Sequence, residues 1–419
     1  MFKRGTFLML LNVIISTAQE TNLDIFSITP EILFGITGES NTDFPDRGLQ
    51  KQVHLSFGWH QTKNSESWRS YLKTTKTGIS IGYTDFGNKN QLGAIFTLQP
   101  FIEFKAFKSN NITLHVGTGA SYITKKYDAV TNEFNRAVST NFNWSFRLFM
   151  YYKLLKSEQV NWRIGIGGAH NSNGHAKLPN QGYNSFLLSL NSEIVTKRRT
   201  LKNSTQIKKP TAIVSNYVTI RSGYGQNVLS EAFGDKKSVY TVSGEYGKIY
   251  NSVFKLGVGA YFRFYETYYD YISNNESLVQ EGREFSDLSS NAFTNALNIG
   301  LSAKGELLLN HFGIEIQAGI NIYKPAYKVD WRINKGWGDV PKIITESGGN
   351  YTLGDINEPY YKVKRTISAR LGLKYYVIGT ATNPMNNVYI GAFINSNLGQ
   401  ADFSEIAMGY VLNLKSRQR

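Results

Sequence analysis

The sequence predicts an all-β protein: a single antiparallel transmembrane β-barrel with an even number of strands, about 12–16. Apolar and polar residues alternate with a period of two through most of the 419-residue chain, as in strands with one lipid-facing side. The alternating runs are about ten residues long, which is the length that a strand needs to cross a bilayer. The connections between them are mostly short and long in turn, like the periplasmic turns and external loops of outer-membrane barrels.

The composition suits such a barrel better than a soluble globular domain. Charged residues make up 18% of the chain and aromatic residues 14%, which is a low charge and a high aromatic content. There is no cysteine, and this excludes disulfide bonds and thiolate metal sites. The formal net charge of +15 indicates an anionic partner. For an exported protein we expect anionic lipid or glycan rather than nucleic acid.

The N-terminal segment MFKRGTFLMLLNVIISTAQE has the pattern of a signal peptide. Lys3 and Arg4 are followed by an apolar stretch that is too short to span a bilayer as a helix. Ala18 is the small residue that signal peptidase prefers. We therefore expect residues 1–18 to be removed and residues 19–419 to form a barrel in the outer membrane of a bacterial cell.

About sixteen strands follow the signal peptide when the alternating runs are counted. In the run near residue 56, for example, the apolar side is formed by Val53, Leu55, Phe57 and Trp59. The long connections that fall on the external side are residues 38–50, 124–138, 266–290 and 330–360. Helical spacing is not evident. The cluster of Tyr265, Tyr268, Tyr269 and Tyr271 suits an aromatic girdle at the membrane interface.

Two other architectures fit parts of the pattern. A soluble β-sandwich or propeller would have shorter strands, and no blade-length repeat is visible. The basic link KRRTLKNSTQIKKP, residues 197–210, would separate one eight-strand unit from a second. We favour one continuous barrel, because a basic turn is a common way to end a strand.

The segment AHNSNGHAKLPNQGYNSF, residues 169–186, places three polar side chains on the lipid-facing side. The apolar side of the preceding strand continues at the same parity to His170 and Ser172, and the apolar side of the following strand extends back to Asn184. All three would therefore lie on the outer face of two neighbouring strands, at their external ends. Polar groups there cost free energy, so this cluster indicates a function.

These residue types suit a serine esterase. A histidine takes the proton of the serine hydroxyl, and Asn184 would orient the imidazole through its side-chain carbonyl. The candidates for an oxyanion hole are Asn173, Asn180 and the backbone N–H groups of Gly174 and His175. His175 is also an alternative base, although its parity points inward. The competing interpretation of the whole segment is a hydrophilic external loop rich in turn-forming residues.

The segment resembles the active-site region of a known family. His170-Asn-Ser172-Asn173 followed by Pro179-Asn180-x-Gly182-x-Asn184 is similar to that of the outer-membrane lipid A 3-O-deacylases. The upstream GTGASYITKKYD, residues 117–128, resembles their Gly-rich strand and Tyr-Asp loop. The resemblance covers residues 28–198. It implies a β-barrel serine esterase that removes the acyl chain ester-linked at the 3 position of lipid A, with Ser172 as nucleophile and His170 as base.

The sequence departs from the family at Asn184, which falls where the best-known members have a glutamate. A neutral orienter does not stabilise an imidazolium by charge, which implies a lower rate. Residues 212–419 contain no motif that we recognise, and they imply additional barrel strands and a larger barrel.

Two rival functions remain. One is a porin-like channel, since about sixteen strands enclose a water-filled pore. The other is a barrel that binds lipopolysaccharide without hydrolysing it. We expect lipid A and outer-membrane lipids as partners. We expect no cofactor and no metal, because no Gly-rich phosphate loop, zinc signature or calcium loop is present in the sequence.

Overall fold

The computed structural model describes residues 25–60, 72, 74–107, 111–157, 159–195, 213–334, 356–414 and 417–418. Sixteen long antiparallel strands account for most of these residues, and they form two closed barrels of eight strands each. The predicted signal peptide and the basic link 197–210 lie outside the described residues. None of the helices in the described ranges has the length and apolar character needed to cross a membrane.

The first barrel closes within the N-terminal half of the chain. Its strands are β1 (Ile25–Thr37), β2 (Gln50–His60), β3 (Thr74–Asp85), β4 (Ala94–Lys105), β5 (Ile112–Ile123), β6 (Phe142–Lys156), β7 (Val160–Ser172) and β8 (Tyr183–Val195). Each strand pairs with its neighbour in sequence, and β1 also pairs with β8. The ring therefore has no edge strand whose unpaired backbone groups would face lipid.

The second barrel is built in the same way. Its strands are β9 (Ile213–Asn227), β10 (Lys237–Tyr250), β11 (Phe254–Tyr265), β12 (Leu297–Leu309), β13 (Phe312–Tyr323), β14 (Ile367–Tyr376), β15 (Asn386–Asn397) and β16 (Gln400–Asn413). Strand β9 pairs with both β10 and β16 and closes the ring. A short β17 (Arg417–Gln418) pairs with the start of β9.

The prediction of transmembrane β-structure with an even number of strands is confirmed, but the prediction of a single barrel is wrong. Because β8 returns to pair with β1, the first ring is complete before β9 begins. The basic link 197–210 therefore joins two eight-strand units, which is the alternative that the sequence left open.

The predicted alternation is present in the strands of both barrels. In β1, Ile32 is 44% exposed and Phe34 45% exposed on the outside, whereas Glu31 and Leu33 are buried on the inside. Large apolar side chains are exposed in the same way on the outer wall of the second barrel, Leu301 among them. Such a surface is stable in lipid rather than in water.

Both lumens contain paired charges. In the first, Glu103 lies 2.9 Å from the Arg163 guanidinium and 3.3 Å from the Lys76 ammonium. In the second, Lys374 lies 2.5 Å from Glu315. An eight-strand barrel has an interior that is only just wide enough for side chains. The larger lumen expected for one sixteen-strand barrel is therefore not formed.

Short helices cover the external end of the second barrel. They are α1 (Glu266–Ser273), α2 (Ala292–Asn295), α3 (Tyr327–Asn334) and α4 (Pro359–Thr366), with a 3₁₀ turn over Ser286–Ser290. The predicted aromatic girdle is wrong for Tyr265, Tyr268 and Tyr271, which are at most 4% exposed and form part of a buried apolar cluster, whereas Tyr269 is 38% exposed. Their spacing of three places Tyr268 and Tyr271 on one face of α1.

We expect Glu103→Gln to lower the free energy of unfolding by about 3 kcal/mol, because it removes the buried carboxylate that pairs with Arg163 and leaves Lys76 with Glu193 alone, at 2.7 Å. Urea unfolding in lipid vesicles, followed by tryptophan fluorescence, measures the change. Glu39→Gln is the control, since Glu39 pairs with Arg47 at 3.2 Å in an exposed loop and such pairs contribute little. Equal unfolding midpoints for the two variants would contradict the lumen description.

Candidate active site

Two adjacent strands position the three side chains that the sequence predicts. His170 on β7 lies directly opposite Asn184 on β8 in the strand register. Ser172 is the last residue of β7, two positions beyond His170. Since side chains two apart share a face, all three lie on the outer wall at the external end of the first barrel.

The three side chains form a continuous hydrogen-bonded chain. The Asn184 Oδ1 atom lies 2.7 Å from His170 Nδ1, and the Ser172 Oγ atom lies 2.9 Å from His170 Nε2. An amide oxygen only accepts hydrogen bonds, so Nδ1 must carry the proton and donate it to Asn184. The Nε2 atom is then the acceptor for the serine hydroxyl. This is the arrangement of a nucleophile, a base and a group that orients the base.

The site is more enclosed than the strand parity alone indicates. Asn184 is exposed and His170 is half-buried, but Ser172 is only 7% exposed. The serine hydroxyl therefore does not face open lipid. It lies in a cleft whose walls come from both barrels.

Positive backbone φ angles shape the β7–β8 loop (residues 173–182). Gly174 has φ +62°, His175 φ +69° and Gly182 φ +79°. A β-carbon on Gly182 would lie 2.6 Å from the Cε1 atom of His170. Glycine is thus required at 182 both for its backbone conformation and for the space that the imidazole occupies.

Asn173 and Asn180 of this loop differ in their surroundings: the donors of Asn173 have partners within the loop, whereas Asn180 lines the cleft. The Asn173 backbone N–H donates to Asn180 Oδ1 at 2.8 Å. Its side-chain amide donates to Ser139 Oγ at 3.2 Å and to the Lys177 carbonyl at 2.7 Å. The donors of Asn173 are therefore engaged in holding the loop, and its place in an oxyanion hole stays a prediction. Asn180 lines the cleft beside Ser172.

The second barrel supports the same loop. The Trp144 indole donates to Ser404 Oγ at 3.1 Å, and the Ser404 hydroxyl donates to the Gly174 carbonyl at 3.3 Å. His175 Nε2 lies 3.1 Å from the Val228 carbonyl. Burial lowers the pKa of His175, so a neutral ring donates to that carbonyl. His175 is thereby an anchor between the barrels rather than an alternative base.

A cavity of about 850 Å³ adjoins the serine and is lined by both barrels. The first barrel contributes Phe146, His170, Ser172 and Asn180. The second contributes Ile316, Leu371 and Ile394 from its outer wall, Leu398 from the β15–β16 turn, and Tyr360 and Lys364 from α4. Sequence reasoning found only the residues from the first barrel. Outward aliphatic side chains occur on every strand, so nothing in the sequence marks those that reach the cleft.

No group of three His, Asp or Glu side chains suited to a metal ion occurs in the described part of the chain. The chemistry that the described side chains offer is nucleophilic: a hydroxyl with a base at hydrogen-bond distance, beside a largely apolar cleft.

Two family models match the chain. Residues 48–192 match the one described as lipid A 3-O-deacylase (PagL), and residues 215–334 match the one described as the C-terminal domain of acyloxyacyl hydrolase. The first match includes all three hydrogen-bonded side chains. The second runs from β9 to the end of α3. No curated protein matches the chain in sequence.

Solved structures show weaker likenesses. The outer membrane enzyme PagL is 19% identical over 39% of this chain and 97% of its own, with a TM-score of 0.29. An outer membrane channel from Pseudomonas putida F1 is 7% identical over 94% and 97%, with a TM-score of 0.16. The outer membrane protein opdK from Pseudomonas aeruginosa is 10% identical over 94% and 99%, with a TM-score of 0.18. Such low scores do not discriminate between an enzyme and a channel.

We expect Gly182→Ala to displace the His170 ring, because the new methyl group meets the imidazole and a positive φ costs about 1–2 kcal/mol for alanine. In protein labelled at histidine, the NMR signals of the His170 ring should shift. The control is Gly38→Ala, whose β-carbon would have its nearest neighbour at 3.7 Å. Unchanged His170 signals in a folded Gly182→Ala variant would contradict the packing described.

Proposed function

Since the chain belongs to the lipid A 3-O-deacylase family, we propose that it hydrolyses the acyl ester at the 3 position of lipid A through Ser172, His170 and Asn184. The chain is an ester hydrolase of the bacterial outer membrane, and the family match covers the segment that contains these residues. The observation that supports the proposal most strongly is the hydrogen-bonded chain from the Ser172 hydroxyl through His170 to Asn184.

In the first half of the reaction Ser172 Oγ attacks the carbonyl carbon of the ester and passes its proton to His170 Nε2. The tetrahedral intermediate then collapses and the bond to the sugar oxygen breaks. That oxygen takes the proton from His170 and leaves as the free 3-hydroxyl. The acyl group stays on Ser172 as an ester.

The second half releases the fatty acid. His170 Nε2 takes a proton from a water molecule, and the resulting hydroxide attacks the acyl carbonyl. When the new intermediate collapses, the bond to Ser172 Oγ breaks and the serine regains its proton from His170. Throughout both steps the Nδ1–H group of His170 donates to Asn184, which holds the ring in the tautomer that leaves Nε2 free to accept.

We assign the oxyanion hole to the Gly174 N–H, assisted by the His175 N–H and the Asn180 side chain. Gly174 has no acceptor for its N–H among the described hydrogen bonds. Its neighbour His175 shares the left-handed backbone conformation, and successive N–H groups in such turns form concavities that bind anions. Asn180 lines the same cleft as Ser172.

The placement of the site fits a lipid substrate. His170 and Ser172 occupy the outer wall at the external end of β7, where the outer leaflet meets the aqueous side. A lipid that diffuses in the leaflet therefore brings its ester to the serine without leaving the membrane. The charge of +15 favours a lipid with anionic groups.

The channel alternative has less support. Each barrel has eight strands, and the described lumen side chains include paired charges such as Arg221 with Glu405 at 2.6 Å. An interior of that size is filled by side chains. The alternative of a non-catalytic lipid-binding barrel accounts for the cleft but not for the oriented imidazole.

We expect Ser172→Ala to reduce release of the 3-linked fatty acid by at least about 10³-fold, because the variant has no nucleophile for His170 to activate. Mass spectrometry of lipid A incubated with the purified proteins measures the loss of one acyl chain. If wild-type protein leaves lipid A intact but still binds it, the non-catalytic alternative is correct. If it makes liposomes permeable to small anions instead, the channel alternative is correct.

Replacement of Asn184 tests its role as orienter. We expect Asn184→Ala to lower kcat by about 10–100-fold, since the imidazole loses the acceptor that fixes its tautomer. Asn184→Glu should raise kcat above wild type by about tenfold, because a carboxylate also stabilises the imidazolium that forms in the transition state. Identical kcat values for wild type and Asn184→Ala would remove Asn184 from the mechanism.

A further inference from the structure

The outer wall of the second barrel presents an ordered apolar row to the active-site cleft. Leu371 on β14 pairs directly with Ile316 on β13 and with Ile394 on β15, and all three side chains line the cavity that contains Ser172. On the opposite wall, Phe146 of β6 pairs directly with His170. The cleft is thus bounded by one row from each barrel.

This geometry points to a substrate site shared by the two barrels, which we infer from the paired rows. The acyl chain of the lipid lies between the Phe146–His170 row and the Ile316–Leu371–Ile394 row, and Lys364 binds an anionic group on the head of the same lipid. The inference rests on the proposed function and adds to it the residues that select the substrate.

The cavity has the size and polarity that such a ligand needs. Its volume of about 850 Å³ lies within the range of roughly 300–1,000 Å³ typical of ligand pockets. Along β13 to β15 its lining includes the aliphatic Ile316, Leu371 and Ile394 beside Gln317, Arg370 and Ser396, and further polar groups lie around Ser172 and on α4. On much of the outer walls the large apolar side chains are exposed to lipid. Here two walls face each other, so an acyl chain is held from both sides.

The polar end of the cleft lies on the external side. Lys364 belongs to α4, which ends at Thr366 immediately before β14, and Leu371 lies farther along β14, roughly 13 Å from its start. The Lys364 Nζ atom is 5.3 Å from the centroid of the Tyr360 ring and 5.7 Å from that of Trp331. A cation thus stands above an apolar groove, in the same order as the charged head and the acyl chain of an outer-leaflet lipid.

The position of Lys364 favours an anionic ligand. The side chain lines the cavity although the residue is only 2% exposed, and burial lowers its pKa to about 8. Asp330 on α3 opposes this shift. A phosphate of lipid A that enters the cleft supplies a further negative charge beside the ammonium group and favours its charged form.

Leu371→Trp tests the apolar row by filling the groove. We expect kcat/KM for lipid A to fall at least tenfold, mainly through KM. The control is Leu301→Trp, since Leu301 is 56% exposed on the same barrel and does not line the cleft. Equal kinetics for both variants with lipid A would overturn the inference, even if Ser172 is the nucleophile.

A binding experiment separates this inference from the proposed function. In Ser172→Ala protein, lipid A with a diazirine in its 3-linked acyl chain should cross-link to Ile316, Leu371 or Ile394 in preference to Leu301, whether or not the wild type turns over. Cross-links spread over the outer walls in proportion to their exposure would refute the shared site. An equal preference for Ile316, Leu371 or Ile394 with a diazirine phosphatidylethanolamine would also refute it, because the occupant would then be ordinary bilayer lipid.

Substitutions of Lys364 test the polar end. Lys364→Ala should raise KM for lipid A about tenfold, and Lys364→Arg should restore most of the affinity. The KM for lipid A without its phosphates should change with neither substitution. If Lys364→Ala raises the KM for both substrates equally and Lys364→Arg does not restore the affinity for lipid A, Lys364 only supports the fold of α4. The assignment of the anion site then fails.

Discussion

The pairing of backbone groups in lipid is the constraint on which this structure depends. A bilayer offers no water to bond to a strand edge, so each sheet must close on itself, and it does so twice, through β1 with β8 and through β9 with β10 and β16. Closure fixes the side of the wall on which every residue lies. It therefore places His170, Ser172 and Asn184 outside the barrel, where a membrane lipid is accessible and the lumen is not involved.

The strands could be predicted from the sequence because their alternation is a local property of each segment. The number of barrels could not, because the pairing of β8 with β1 joins residues far apart in the chain, and the alternating pattern is the same whether the eighth strand pairs backward or forward. The helices α1 to α4 are four to eight residues long, too short for a helical period to emerge. For this reason the sequence predicts a girdle that includes Tyr268 and Tyr271, although both are buried on α1.

The site likewise has a part that the sequence predicts and a part that it does not. Strand parity was enough to bring His170, Ser172 and Asn184 to one face, and the family-like segment singled them out. The contributions of the second barrel had no such signal: Ser404 and Val228 act on the β7–β8 loop through hydrogen bonds across the interface, and Leu371 differs from other outward leucines only in what lies opposite it. The second barrel therefore encloses Ser172 in a cleft, although this residue lies on the outer wall of the first barrel. It also supports the loop that holds the proposed oxyanion donors.

The central claim is that an outward-facing serine is activated by its neighbouring histidine, and covalent labelling tests this most directly. After treatment of the full chain in lipid vesicles with an alkyl fluorophosphonate, the account predicts a single adduct, located by mass spectrometry on the peptide that contains Ser172 and absent from a folded His170→Ala variant. An unlabelled Ser172 in folded wild-type protein, or labelling that is equally fast without His170, would contradict it.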